Sequence, residues 1–83
     1  MDLDVIRKKL SIKSWRRGTK ELDLILGGFS DNNLIKLELA ELDLYERLLT
    51  YDDYLIHDWL FRKKESPKIF GSLIKQIQDY MYR

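Results

Sequence analysis

The 83-residue sequence contains no cysteine, one proline, four glycines and a single histidine. Without cysteine there can be no disulfide scaffold, no thiolate nucleophile and no cysteine-ligated metal. With His57 as the only histidine, a multi-histidine metal site cannot be assembled. Scarce glycine and proline, beside 45% hydrophobic and 35% charged residues, exclude collagen-like, low-complexity and disordered classes. No apolar run approaches the ~18–20 residues of a membrane span, so membrane insertion is not expected. The opening Met-Asp-Leu-Asp is acidic and has no apolar h-region, unlike a secretory leader. Together with the lack of cysteine this points to a reducing compartment, and the bacterial cytoplasm is the expected location. There is also no glycine-rich phosphate loop, HExxH pair or nucleophile elbow. A conventional enzyme is therefore not expected, nor a metal centre.

What is present makes one small domain. A chain of this length buries roughly 60–65% of the surface its unfolded form exposes, enough for one core but little more. A surface that docks on something larger is easier to build than a deep substrate pocket. The net charge of +1 conceals an asymmetry. Positions 5–20 carry Arg7, Lys8, Lys9, Lys13, Arg16, Arg17 and Lys20 and no acid, whereas positions 21–58 carry ten acids and two bases, Lys36 and Arg47. Arg62, Lys63 and Lys64 turn the chain basic again. Such a dipolar surface steers encounters with a partner without naming it.

The apolar spacing is helical throughout, with no convincing alternation of period two. A first helix over about 2–14 places Leu3, Ile6 and Leu10 on one face. A second begins near Thr19 and repeats Leu22, Ile25, Leu26 and Phe29 as a core-facing stripe. Gly27 and Gly28 lie inside it and either admit a close neighbour or weaken the helix. Ser30-Asp31-Asn32-Asn33 is a polar break or the last turn of that helix. A third helix from about 38 to 50 turns Leu42, Tyr45, Leu48 and Leu49 inward. Asp52 or Asp53 can cap the fourth, whose inward residues are Leu55, Ile56, Trp59 and Leu60. Ser66-Pro67 starts the fifth, with Ser as cap and Pro in the first turn. Phe70, Leu73, Ile74, Ile77 and Met81 share its apolar side. The expectation is all-α: a compact five-helix bundle, one domain over residues 1–83.

The most informative segment is Trp15-Arg16-Arg17-Gly18-Thr19-Lys20-Glu21-Leu22-Asp23-Leu24. Read from its residues alone it is a helix–glycine–helix corner. Gly18 can take a positive φ and close the first helix. Arg17 then stands at a helix C-terminus and Glu21 in the first turn of the next, both matched to the helix dipoles. A purely structural role accounts for all three.

The segment also resembles the signature of the SdhE family, the flavinylation assembly factors of succinate dehydrogenase. That family carries an R-G-x-x-E motif, present as Arg17-Gly18-Thr19-Lys20-Glu21. Ser14-Trp15 precedes it, and Leu22-Asp23-Leu24-Ile25-Leu26-Gly27 and Phe29 follow. Glu41-Leu42-Asp43-Leu44-Tyr45-Glu46-Arg47-Leu48-Leu49 is similar to the family's E-L-x-x-F/Y-E-x-L-L segment, and Asp52, Asp53 and Trp59 fall where the family has its acid pair and tryptophan. The chain departs from the pattern at Tyr54-Leu55, where a proline–acid step is usual, and at Leu60-Phe61-Arg62-Lys63-Lys64, which lacks a glycine. The resemblance implies a five-helix bundle that binds the flavoprotein subunit of succinate dehydrogenase, or of fumarate reductase, and promotes covalent attachment of FAD to it. It implies that this chain binds no FAD itself. The residues that carry over to partner binding are Arg17, Gly18 and Glu21, facing outward, with Arg16 and Trp15 beside them.

Other residues point elsewhere with less force. His57 reads as a packing or surface residue on the fourth helix. Asp52-Asp53 could suggest acid–base chemistry, and a cap at a helix start explains them more simply. The competing function is a small nucleic-acid-binding module using the basic stretch 5–20, two helices at a sharp corner. The acidic middle of the chain and the near-neutral net charge oppose it.

Overall fold

In a computed structural model, which describes residues 2–82, the chain forms five α-helices. They are α1 (Leu3–Ser14), α2 (Lys20–Asn33), α3 (Leu39–Leu48), α4 (Asp53–Phe61) and α5 (Gly71–Met81). Short 3₁₀ turns cover Leu34–Lys36 and Lys68–Phe70. Among the described residues no strand forms and no helix is long and apolar enough to cross a membrane.

Each apolar stripe meets the others in one core. Leu10 of α1, Leu22, Leu26 and Phe29 of α2, Leu42, Tyr45 and Leu48 of α3, Ile56 and Leu60 of α4 and Ile77 of α5 are all fully or almost fully buried. Asp2 caps α1 and Thr19 caps α2 through its side-chain oxygen. Glu41 reaches back to the Glu38 N–H at the start of α3, which satisfies one of the orphan donors of that helix end.

The glycines inside α2 do not weaken it. Gly27 accepts the face of the Trp15 ring and Gly28 the hydroxyl of Tyr80 from α5; a Cβ at either position would collide with them. The polar run Ser30–Asn33 is the last turn of α2. Leu34 and Leu37, in the connection that follows, are core residues that periodicity did not reveal. They are held by Arg7 of α1, whose Nε and Nη2 donate to the Leu34 and Leu37 carbonyls at 2.9 Å each.

One detail of the helix ends differs from the sequence reading and another bears out its consequence. Ser66 does not cap α5: its hydroxyl turns to the Pro67 carbonyl, and Pro67 leads into the 3₁₀ turn before the α-helix proper. The missing glycine after Trp59 matters, because Lys63 takes φ 55° at the end of α4. A side chain there meets its own backbone, which glycine avoids.

Tyr45 ties three helices together. Its hydroxyl lies 2.6 Å from buried Ser14 Oγ and 3.3 Å from the Leu26 carbonyl, while Ser14 Oγ donates to the Leu10 carbonyl at 2.7 Å. Burial pushes the phenol pKa well above its ordinary value, the Ser14 hydrogen bond opposing this in part.

Two predictions follow from these positions. Lys63→Gly relieves the left-handed strain and raises stability by about 1 kcal/mol, a melting increase of about 4–8 °C, measurable by circular dichroism. The folded state holds the Tyr45 proton more tightly than the unfolded chain. The stability it contributes is complete below about pH 10, where an unfolded tyrosine titrates, and is lost as pH rises beyond it. Tyr45→Phe should cost about 1 kcal/mol at neutral pH and flatten the alkaline fall in melting temperature.

Candidate functional site

The corner between α1 and α2 is held by hydrogen bonds from two directions. The Arg17 N–H donates to the carboxylate of Asp23 in the first turn of α2, and the Gly18 N–H donates to Asp53 at the start of α4. Thr19 Oγ1 accepts the Leu22 N–H at 3.2 Å and starts α2. The Trp15 ring closes the other side, lying over Gly27 with its Nε1 3.2 Å from Asp31 Oδ2.

The Arg17 guanidinium is turned inward, opposite to the outward placement expected of it. Nε donates to Asp53 Oδ1 at 2.8 Å, Nη1 to the Leu49 carbonyl at 2.8 Å and Nη2 to the Tyr51 carbonyl at 3.0 Å. Nη2 also lies 2.7 Å from Asp53 Oδ1, and the side chain is 12% exposed. The physical reason is the end of α3. The carbonyl of its C-cap, Leu49, has no helical partner, that of Tyr51 lies in the turn after it, and a planar guanidinium can bind both and a carboxylate together.

Gly18 serves the same clasp. No described glycine has a positive φ, so Gly18 is not the left-handed cap the sequence suggested. Its lack of a side chain is required because a Cβ would run into the Asp53 carboxylate that binds it. The acid pair is resolved too. Asp52 stands at the N-cap of α4 but makes no side-chain cap bond, and Asp53 is committed to Arg17 and Gly18. The two do not form an acid–base pair. Beneath the clasp, Tyr51, Trp59 and Phe70 pack as an aromatic cluster with centroids 5.2–6.2 Å apart.

Glu21 has the opposite disposition. It projects from the first turn of α2 with 59% of its side chain exposed, and its Oε1 is 3.3 Å from His57 Nε2. The His57 ring rests on Phe61, with centroids 4.5 Å apart. Glu21 therefore does not orient Arg17. Arg16 is exposed, and Trp15 is 41% exposed. The motif divides into an inward clasp, Arg17 and Gly18, and an outward carboxylate, Glu21, with Arg16 and Trp15 on the same corner. Asp23, Asp53 and His57 belong to this arrangement although the sequence did not single them out for it. The hint was that Asp52 and Asp53 fall where the family has its acid pair. Of the basic stretch, Arg7 and Arg17 bind carbonyls within the chain and Lys13 lies 3.6 Å from Glu46.

Residues 8–81 match the family model described as flavinator of succinate dehydrogenase. The chain belongs to this family. Among relatives, it is 36% identical over 80 residues to a mitochondrial succinate dehydrogenase assembly factor 2 of Dictyostelium discoideum, covering 95% of this chain and 57% of that protein. It is 38% identical over 64 residues to the FAD assembly factor SdhE of Francisella tularensis, covering 77% and 67%. It is 34% identical over 79 residues to the protein of that name from Acetobacter pasteurianus, covering 93% and 72%. The chain spans little more than half the length of the mitochondrial relatives it matches.

The clasp predicts a sharp contrast in stability. Asp53→Ala strands a largely buried guanidinium and should cost about 2 kcal/mol, the worth of charge-assisted bonds. Arg17→Ala should cost a similar amount. Glu21→Ala should change stability by less than about 0.5 kcal/mol, as expected of an exposed pair. Urea denaturation of the three variants checks this.

Proposed function

We propose that this chain is an assembly factor that binds the flavoprotein subunit of succinate dehydrogenase and promotes covalent attachment of FAD to it, acting on the partner and not as an enzyme. The observation that carries the reading is the family match over residues 8–81, joined to a motif whose carboxylate is presented to solvent. The flavoprotein of fumarate reductase, where present, is a second client of the same chemistry. FAD remains the partner's cofactor, since this sequence carries no glycine-rich phosphate loop to hold it. A bacterial cytoplasmic setting is part of the reading and is supported by the bacterial relatives.

Joining a flavin to a histidine requires a fixed approach of the two groups and stabilisation of the negative charge that develops on the ring, both matters of orientation and preorganised electrostatics. A small rigid protein contributes by favouring one conformation of its partner. Here Glu21 engages a basic group of the partner. Arg16 and Trp15 extend the contact. Arg17 and Gly18 act from within, fixing the corner on which Glu21 stands. The partner-binding surface is thus Glu21, Arg16 and Trp15 on a scaffold set by Arg17 and Gly18.

The test is in-gel flavin fluorescence of the flavoprotein subunit, produced with and without this chain. The wild-type chain should raise covalent flavin content, and Glu21→Gln should remove most of that rise while its circular dichroism and melting stay unchanged. Arg17→Ala should lose function and stability together. Equal flavinylation with and without the wild-type chain contradicts the reading.

A further inference from the structure

Beside Glu21 the surface opens into a cleft of about 480 Å³ between the start of α2 and the outer side of α4, lined by Thr19, Leu22, Tyr54, His57, Asp58 and Arg62. Its wall is mostly carbon, with the exposed Tyr54 ring at the rim. The carboxylates around it are not equivalent. Asp53 is spent on Arg17 and Gly18. Asp58 lies 3.7 Å from both Arg62 Nε and Lys64 Nζ. Among the described residues Glu21 is met by His57 alone. An apolar cleft with an available carboxylate beside its His57 wall matches a side chain with an alkyl stem and a cationic head. The face of Tyr54 adds attraction for such a cation. A purely apolar side chain would cover Glu21 without pairing it, and an acidic one would be repelled.

We propose that this cleft receives one lysine or arginine side chain of the flavoprotein partner, its stem against Tyr54 and His57 and its head on Glu21. The proposal rests on the assembly-factor reading and names the chemistry that Glu21 meets. The His57 ring is held on Phe61 with its Nε2 3.3 Å from Glu21, so it fixes the carboxylate beside the cleft.

The experiment measures affinity of the full chain for the isolated FAD-loaded flavoprotein subunit by calorimetry. Tyr54→Ala and Glu21→Gln should each weaken binding by about tenfold or more, and Glu21→Lys should weaken it further than Glu21→Gln. If the wild type binds while Tyr54→Ala and Glu21→Gln bind as tightly, the cleft assignment is overturned. Glu21→Lys binding no worse than Glu21→Gln overturns the cationic occupant. A wild-type chain that binds no flavoprotein sinks the assembly-factor reading itself, an outcome separate from all of these.

Discussion

The structure depends on one guanidinium. Arg17 reaches across the bundle to join the corner between α1 and α2 to the turn between α3 and α4, taking the Leu49 and Tyr51 carbonyls and the Asp53 carboxylate at once. The Leu49 carbonyl ends α3 and the Tyr51 carbonyl lies in the turn after it, so neither has a partner within a helix. Asp53 uses its second oxygen on the Gly18 N–H, so the same acid fixes both residues of the motif's first pair. Arg7 repeats the device one turn earlier in the fold, binding the Leu34 and Leu37 carbonyls after α2. Two bases of an otherwise outward-facing basic stretch thus serve as clamps for irregular backbone. A small core gains stiffness where its helices alone would leave loose connections.

This constraint shapes how the motif can act. A guanidinium with its donors placed on internal acceptors does not also reach into a partner's cleft. Glu21 is free to do so, and its carboxylate stands beside a groove whose walls are set by α4. The clasp joins α4 to the corner through Asp53, so it fixes the distance between Glu21 and that groove. Loss of the arginine and loss of the glutamate therefore act differently: the first loosens the surface, the second removes its charge.

Much of this fold was legible in the residues. The stripe Leu22, Leu26 and Phe29 repeats at helical spacing, and all three are buried; the same holds for Leu42, Tyr45 and Leu48. The missing glycine near Lys63 was visible, and the strain it leaves is real. Local capping was less well read, because Ser66-Pro67 opens a 3₁₀ turn as readily as an α-helix. The direction of Arg17 was not legible at all. Its acceptors lie 32–36 positions away, and two of them are backbone carbonyls, which every residue possesses and no side-chain pattern marks. The pairing of Glu21 with His57 spans 36 positions as well. Motif spacing located the corner correctly, and tertiary contacts decided which of its charges face outward.

The most direct measurement is a structure of the chain bound to the flavoprotein subunit proposed as its partner. The account predicts Arg17 still hydrogen-bonded to Asp53 and the Leu49 and Tyr51 carbonyls, with Glu21 paired to a basic side chain of the partner. An Arg17 released from Asp53 and inserted into the partner, with Glu21 left in solvent, would contradict it.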